Sequence, residues 1–153
     1  MDVAHELVYE IYKVSPAVLI SVVPVLEQEL KVDDIPSRLL ATRVTGKMLS
    51  EKNSNLSKDF PILWKLWLDR SMDSQPTVRL ERVALSASFY ENQPALCEDI
   101  NKSLLERLQD PDDRVRVACC TLFNQFTKAT MLDNVSTAIF KGIQERTRDR
   151  KVI

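Results

Sequence analysis

One imidazole, three thiols and a cluster of aspartates are the groups in this 153-residue chain that could do chemistry. His5 is the imidazole; no cysteine stands at metal-ligand spacing from it, so it reads as a helix-surface residue. Cys119 and Cys120 are neighbours, and on a helix their side chains point about 100° apart, which disfavours a bridge. The cysteines read as small apolar residues in a reducing compartment, so an intracellular protein is expected. Asp110, Asp112 and Asp113 would offer a cation three carboxylates, but the Gly and distal Glu of an EF-hand loop are absent. Helix capping suits them better. Asp110 can accept from the first free amides, Pro111 fits the first helical position, and Asp112 and Asp113 face the positive end of the dipole. No GxSxG, P-loop, dinucleotide fingerprint or HExxH motif occurs, and two glycines could hardly build a phosphate-cradling loop. No catalytic residue, cofactor or metal site is expected.

The bulk composition narrows the partners. With 21 basic and 22 acidic side chains the net charge is near zero, unlike an obligate nucleic-acid binder. Direct DNA binding is therefore expected to be weak and confined to a local patch. No apolar run approaches the roughly 18 residues of a membrane span. Asp2, His5 and Glu6 stand where a signal peptide would carry basic and apolar residues. Scarce glycine and 44% hydrophobic residues argue against disorder and against a turn-rich β fold.

The elements that would position these residues are helices. Apolar residues at helical spacing predict helices over 2–13 (Ala4, Leu7, Val8, Ile11), 17–31 (Leu19, Val23, Leu26, Leu30) and 36–51 (Leu40, Val44, Met48). Pro24 should kink the second, and Gly46 in the third points to a close helix approach. Glu51 to Asp59 reads as the longest loop. Further helices are expected over 60–71, 76–91, 95–109, 111–129 and 132–147. Trp64 and Trp67 are expected to pack in the core between helix pairs.

Turn aspartates at 34, 73, 110 and 149 are spaced by 39, 37 and 39 residues, room for two helices each. That is the short edge of the range of HEAT and armadillo repeats. Asp73 to Arg79 and Asp110 to Arg116 are both six apart, like the Asp…Val-Arg signature of HEAT repeats. Asp33 to Arg38 is five and departs. The expectation is an all-α HEAT-repeat solenoid of helical hairpins in a right-handed superhelix. It fills 1–153 as a half repeat (2–13), repeats over 17–51, 60–92 and 95–129, and a half repeat over 132–153.

Longer stretches carry a more specific resemblance. Leu39-Leu-Ala-Thr-Arg-Val-Thr-Gly-Lys-Met-Leu-Ser-Glu-Lys-Asn-Ser-Asn-Leu-Ser57 resembles the cohesin-associated regulators named for precocious dissociation of sisters. So do His5-Glu-Leu-Val-Tyr-Glu10, Ser21-Val-Val-Pro-Val-Leu-Glu27, Pro76-Thr-Val-Arg-Leu-Glu-Arg-Val83 and Glu145-Arg-Thr-Arg-Asp149. The resemblance implies an internal segment of a nuclear, chromatin-associated, non-catalytic scaffold. Its implied partners are the cohesin kleisin subunit, Wapl and a cohesin acetyltransferase, in cohesin release and in maintaining sister-chromatid cohesion. The fold alone would equally suit a transport receptor or a phosphatase scaffold. No binding residue is carried over from the family.

The residues themselves suggest one face. The second helix of each repeat interleaves its apolar stripe with Arg38, Arg43, Lys47, Arg79, Arg82, Arg114 and Arg116. Arg79 and Arg116 are expected in the turn ladder. That leaves Arg43, Lys47 and Arg82 to give the inner face a positive bias for an extended acidic segment.

Overall fold

The computed structural model describes residues 3–148 and contains, among them, helices and turns with no strand. The order is α1 (Val3–Val14), a 3-10 segment (Pro16–Val22), α2 (Val23–Glu29), α3 (Ile35–Leu49), α4 (Leu56–Asp59) and α5 (Pro61–Asp69). Then follow α6 (Pro76–Asn92), α7 (Cys97–Arg107), α8 (Asp113–Thr121) and α9 (Thr137–Arg146). Two layers result. In one, α1 packs on α3, α3 on α6 and α6 on α8; in the other, α2 packs on α5, α5 on α7 and α7 on α9. Each hairpin touches its neighbours in series, the arrangement of an α-solenoid.

Helix α3 shows why the layer of α1, α3, α6 and α8 reads poorly as amphipathic stripes. It lies between α1 and α6 and over α5, so Ala41, Thr42, Val44, Thr45, Gly46, Met48 and Leu49 are all buried. Gly46 makes the expected close approach: a Cβ there would stand 2.9 Å from the Trp67 ring and 2.8 Å from Leu85 Cδ1. Trp67 is fully buried and donates from Nε1 to Thr42 O at 2.9 Å. It stacks on Trp64 with centroids 5.7 Å apart and meets Phe89 at 4.9 Å, so the pair packs in the core.

Several helix boundaries differ from the periodicity. Residues 17–31 do not form one kinked helix. A 3-10 segment runs to Val22, and Pro24 sits in the first turn of α2, where its missing N–H costs nothing. The helix expected over 111–129 starts at Asp113, with Pro111 left in the turn before it. Asp112, rather than Asp110, is the N-cap, accepting from Arg114 N at 2.9 Å. The same helix tightens to 3-10 geometry over Leu122–Gln125, which buries Leu122 and brings Phe123 and Phe126 against Tyr90. A 3-10 segment (Ala129–Asn134) precedes α9, and Ser136 Oγ caps α9 by accepting from Ala138 N. The loop after α3 contains the short α4, with Leu56 buried.

Candidate partner-binding face

The turns between first and second helices meet along one edge through arginines. Arg38 donates from Nε and Nη2 to the two carboxylate oxygens of Asp73, at 2.7 and 2.9 Å. Arg79 does the same to Asp110, both at 2.9 Å. The Nη1 atoms reach back to a main-chain oxygen of the arginine's own turn: Val32 O for Arg38, Asp73 O for Arg79 and Asp110 O for Arg116, each at 2.7 Å. Every arginine therefore stands six residues after the carbonyl that it holds. The carbonyl sets the spacing, so Arg38 joins the ladder although its aspartate is only five residues away. The corresponding turn at Asp149 lies outside the described residues.

A second arginine completes each described rung. Arg70 donates to Asp73 and Arg107 to Asp110, both at 2.9 Å from three residues upstream. The signal was an Arg-x-x-Asp pattern, repeated at 70–73, 107–110 and 146–149, which the Asp-to-Arg reading passed over. Burial alone would raise the pKa of Asp73. The bonds from Arg38 and from Gln75 N, with the charges of Arg38 and Arg70, outweigh it and hold the carboxyl below the usual range.

The three proposed face residues are not equivalent. Arg82 is only 1% exposed and does not reach the face. Its guanidinium lies 3.7 Å from the Trp67 ring centroid and donates to Trp67 O, Ser86 Oγ and Ser103 Oγ at 3.3, 3.1 and 3.3 Å. Burial pushes its pKa down to about 9, so it stays charged at neutral pH. The reason is register. Arg82 stands three residues after Arg79, as Ala41 does after Arg38 and Cys119 after Arg116, and all three positions are buried.

Arg43 is half-buried and committed to its neighbour: Nε and Nη2 donate to Glu81 of α6 at 2.7 and 3.2 Å. Its charge is matched, which removes part of the expected positive bias. Lys47 remains half-buried at the surface, with its ammonium 5.3 Å from the Tyr9 ring centroid; Lys13 sits 4.9 Å from the same ring. Arg114 is exposed and folds back on Asp112, holding that carboxyl down to about 2. His5 is not an isolated surface residue: its Nε2 lies 2.9 Å from Glu29 Oε2, tying α1 to α2. Burial pushes the thiols of Cys97 and Cys119 up to about 11 and 12. No helix of the described residues is long and apolar enough to cross a membrane.

A two-layer solenoid with a regular arginine ladder is common to many scaffolds, and a family comparison separates them. The model of the family described as sister chromatid cohesion protein PDS5 matches residues 1–153. The chain belongs to the PDS5 family. It is 28% identical over 152 residues to sister chromatid cohesion protein pds5 of Schizosaccharomyces pombe, covering 97% of this chain and 12% of that one. It is 32% identical to PDS5 homolog A-B of Xenopus laevis over 147 residues (95% and 11%). With PDS5 homolog A of Homo sapiens it shares 31% over 146 residues (95% and 11%). The chain thus spans about a tenth of the length of these relatives. A solved structure of a Pds5–Scc1 complex superposes with a TM-score of 0.88 at 22% identity, covering 95% of this chain and 22% of that one, and supports the PDS5 solenoid fold.

Proposed function

We propose that this stretch is a non-catalytic scaffold segment of a cohesin regulator, part of a protein that binds the kleisin subunit and acts on chromatin in the nucleus. In this reading it helps control cohesin release and the maintenance of sister-chromatid cohesion, with Wapl and a cohesin acetyltransferase as further partners. The family match over the whole chain carries the proposal, and it favours cohesin over the cargo of a transport receptor or the subunits of a phosphatase. A solenoid suits the role because every hairpin adds to continuous faces along which an extended segment can lie.

Within this reading, Lys47 and the flank of Arg43 form the contact for an acidic partner segment, while Arg82 acts only through packing. The test uses the full-length protein with Lys47→Glu, and separately the swap Arg43→Glu with Glu81→Arg, which keeps the pair but moves its charge. Capture from nuclear extract should then recover less kleisin, Wapl or acetyltransferase. Undiminished recovery of all three by folded variants removes this face from the reading. Failure of the unaltered protein to recover cohesin subunits overturns the reading itself.

A further inference from the structure

The stacked hairpins are tied at two edges by different bonds. At the Asp-turn edge the ties are bidentate and buried, from Arg38 to Asp73 and Arg79 to Asp110. At the opposite edge one turn, Glu51 to Ser54, is held from both sides. From α1, the Tyr12 hydroxyl donates to Ser54 Oγ at 2.8 Å and the Tyr9 hydroxyl donates to Glu51. From the end of α6, Gln93 Nε2 donates to Glu51 O at 2.6 Å and to Ser54 O at 3.2 Å. The turn is itself closed by Ser54 N to Glu51 O at 3.0 Å, which presents both carbonyls to Gln93. Further along the same edge, the segment after α8 is tied back to α6 by Lys128 and Glu91, an exposed pair 2.9 Å apart.

We propose that the Glu51–Ser54 turn is a strap that fixes the angle between α1, α3 and α6, so that the array bends about its Asp-turn edge and the strap limits how far the other edge opens. The asymmetry of the bonds supplies the direction. Buried bidentate ion pairs hold both distance and orientation. The strap uses single hydrogen bonds near solvent, three of them between neutral groups, and these yield first. Tyr12 and Gln93 come from different helices, and each holds its helix to the same four residues. Loss of Gln93 frees the α6 side, whereas loss of Tyr12 still leaves α1 held by the Tyr9–Glu51 bond; loss of all three leaves only side-chain packing on the turn.

The experiment measures distances in the full-length protein by double electron–electron resonance, with labels attached through an unnatural amino acid. One label pair replaces exposed Val14 and Ala95 across the strap; a control pair replaces Asp33 and Ser74 across the Asp-turn edge. Tyr9→Phe and Tyr12→Phe together with Gln93→Ala should lengthen and broaden the Val14–Ala95 distribution while the control distribution stays put. Unchanged distributions at both edges overturn the strap. Equal shifts at both edges overturn the bending axis. Should this triple variant lose its cooperative melt, Tyr9→Phe with Tyr12→Phe retains both rings, removes both α1 hydroxyl bonds to the turn and is read in the same way.

Discussion

Arg79 spans a repeat boundary, gripping the carboxylate of Asp110 with two nitrogens and the carbonyl of Asp73 with a third. One side chain thus fixes its own turn and the next. Asp110 also accepts from Arg107 and from the amide of Asp112, so the carboxylate is fully engaged while nearly buried. Removing one partner of a buried pair typically costs about 3–5 kcal/mol, and Arg107, which still holds Asp110 when Arg79 is lost, keeps the cost below the upper end. Arg79→Ala should therefore lower the denaturant midpoint clearly. A double-mutant cycle with Asp110→Ala should show coupling well above that of an exposed ion pair. Additive effects would reassign Arg79 to packing.

Acid should weaken the same edge. The folded-state pKa of Asp73 is held below the ordinary carboxylate value of about 3.9. Its contribution is present in full above that value and is lost as pH falls through the lower, folded-state pKa. Stability measured by denaturant titration should drop on acidification below about pH 4. Asp73→Asn should be less stable at neutral pH and lose part of that acid dependence.

How much of this was legible in the residues depends on what kind of signal each element leaves. The ladder was visible because Asp73 to Arg79 and Asp110 to Arg116 repeat at one spacing, and Gly46 announced its close approach by interrupting a helix. The partners of the ladder were not visible, since Arg38 and Arg79 reach into the next repeat, across 35 and 31 residues. Pro24 was misread because a proline within an apolar run marks either a kink or a start, and only the 3-10 segment before it decides. Arg82 was misread because charge suggested solvent, while its offset from Arg79 matched the buried Ala41 and Cys119. Arg43 was placed on the surface, but its pairing with Glu81 comes from the packing of α3 on α6, which no local pattern encodes.

The two glycines should respond differently to alanine. At Gly46 the new methyl would meet the buried Trp67 ring at 2.9 Å, and that ring is held by its bond to Thr42 O. Overpacking of this kind typically costs about 1–3 kcal/mol, more than the gain of up to about 1 kcal/mol in helix propensity. At Gly142 the close neighbour is Leu108 Cδ1, the end of a flexible side chain, and Leu108 Cγ is already 4.0 Å away. Thermal melting should show Gly46→Ala destabilised and Gly142→Ala close to neutral. Equal shifts would mean that Trp67 can move aside.

Arg82 offers the sharpest separation between a core residue and a contact residue. Its guanidinium is buried on Trp67 with hydroxyl and carbonyl acceptors and no carboxylate. Ser86 and Ser103 also donate to main-chain oxygens of their own helices, so both keep a partner when Arg82 is replaced. Replacing buried ionic groups by apolar side chains of similar volume is often neutral or stabilising by about 1–4 kcal/mol, because the desolvation penalty disappears. Arg82→Met should therefore melt at or above the temperature of the unaltered protein. Arg82→Ala should melt lower, by the roughly 2–5 kcal/mol typical of emptying a large core site. Partner capture by Arg82→Met should be unchanged, whereas a residue that met an acidic partner directly would lose binding with its charge. A folded Arg82→Met variant with weakened capture would return Arg82 to the binding face.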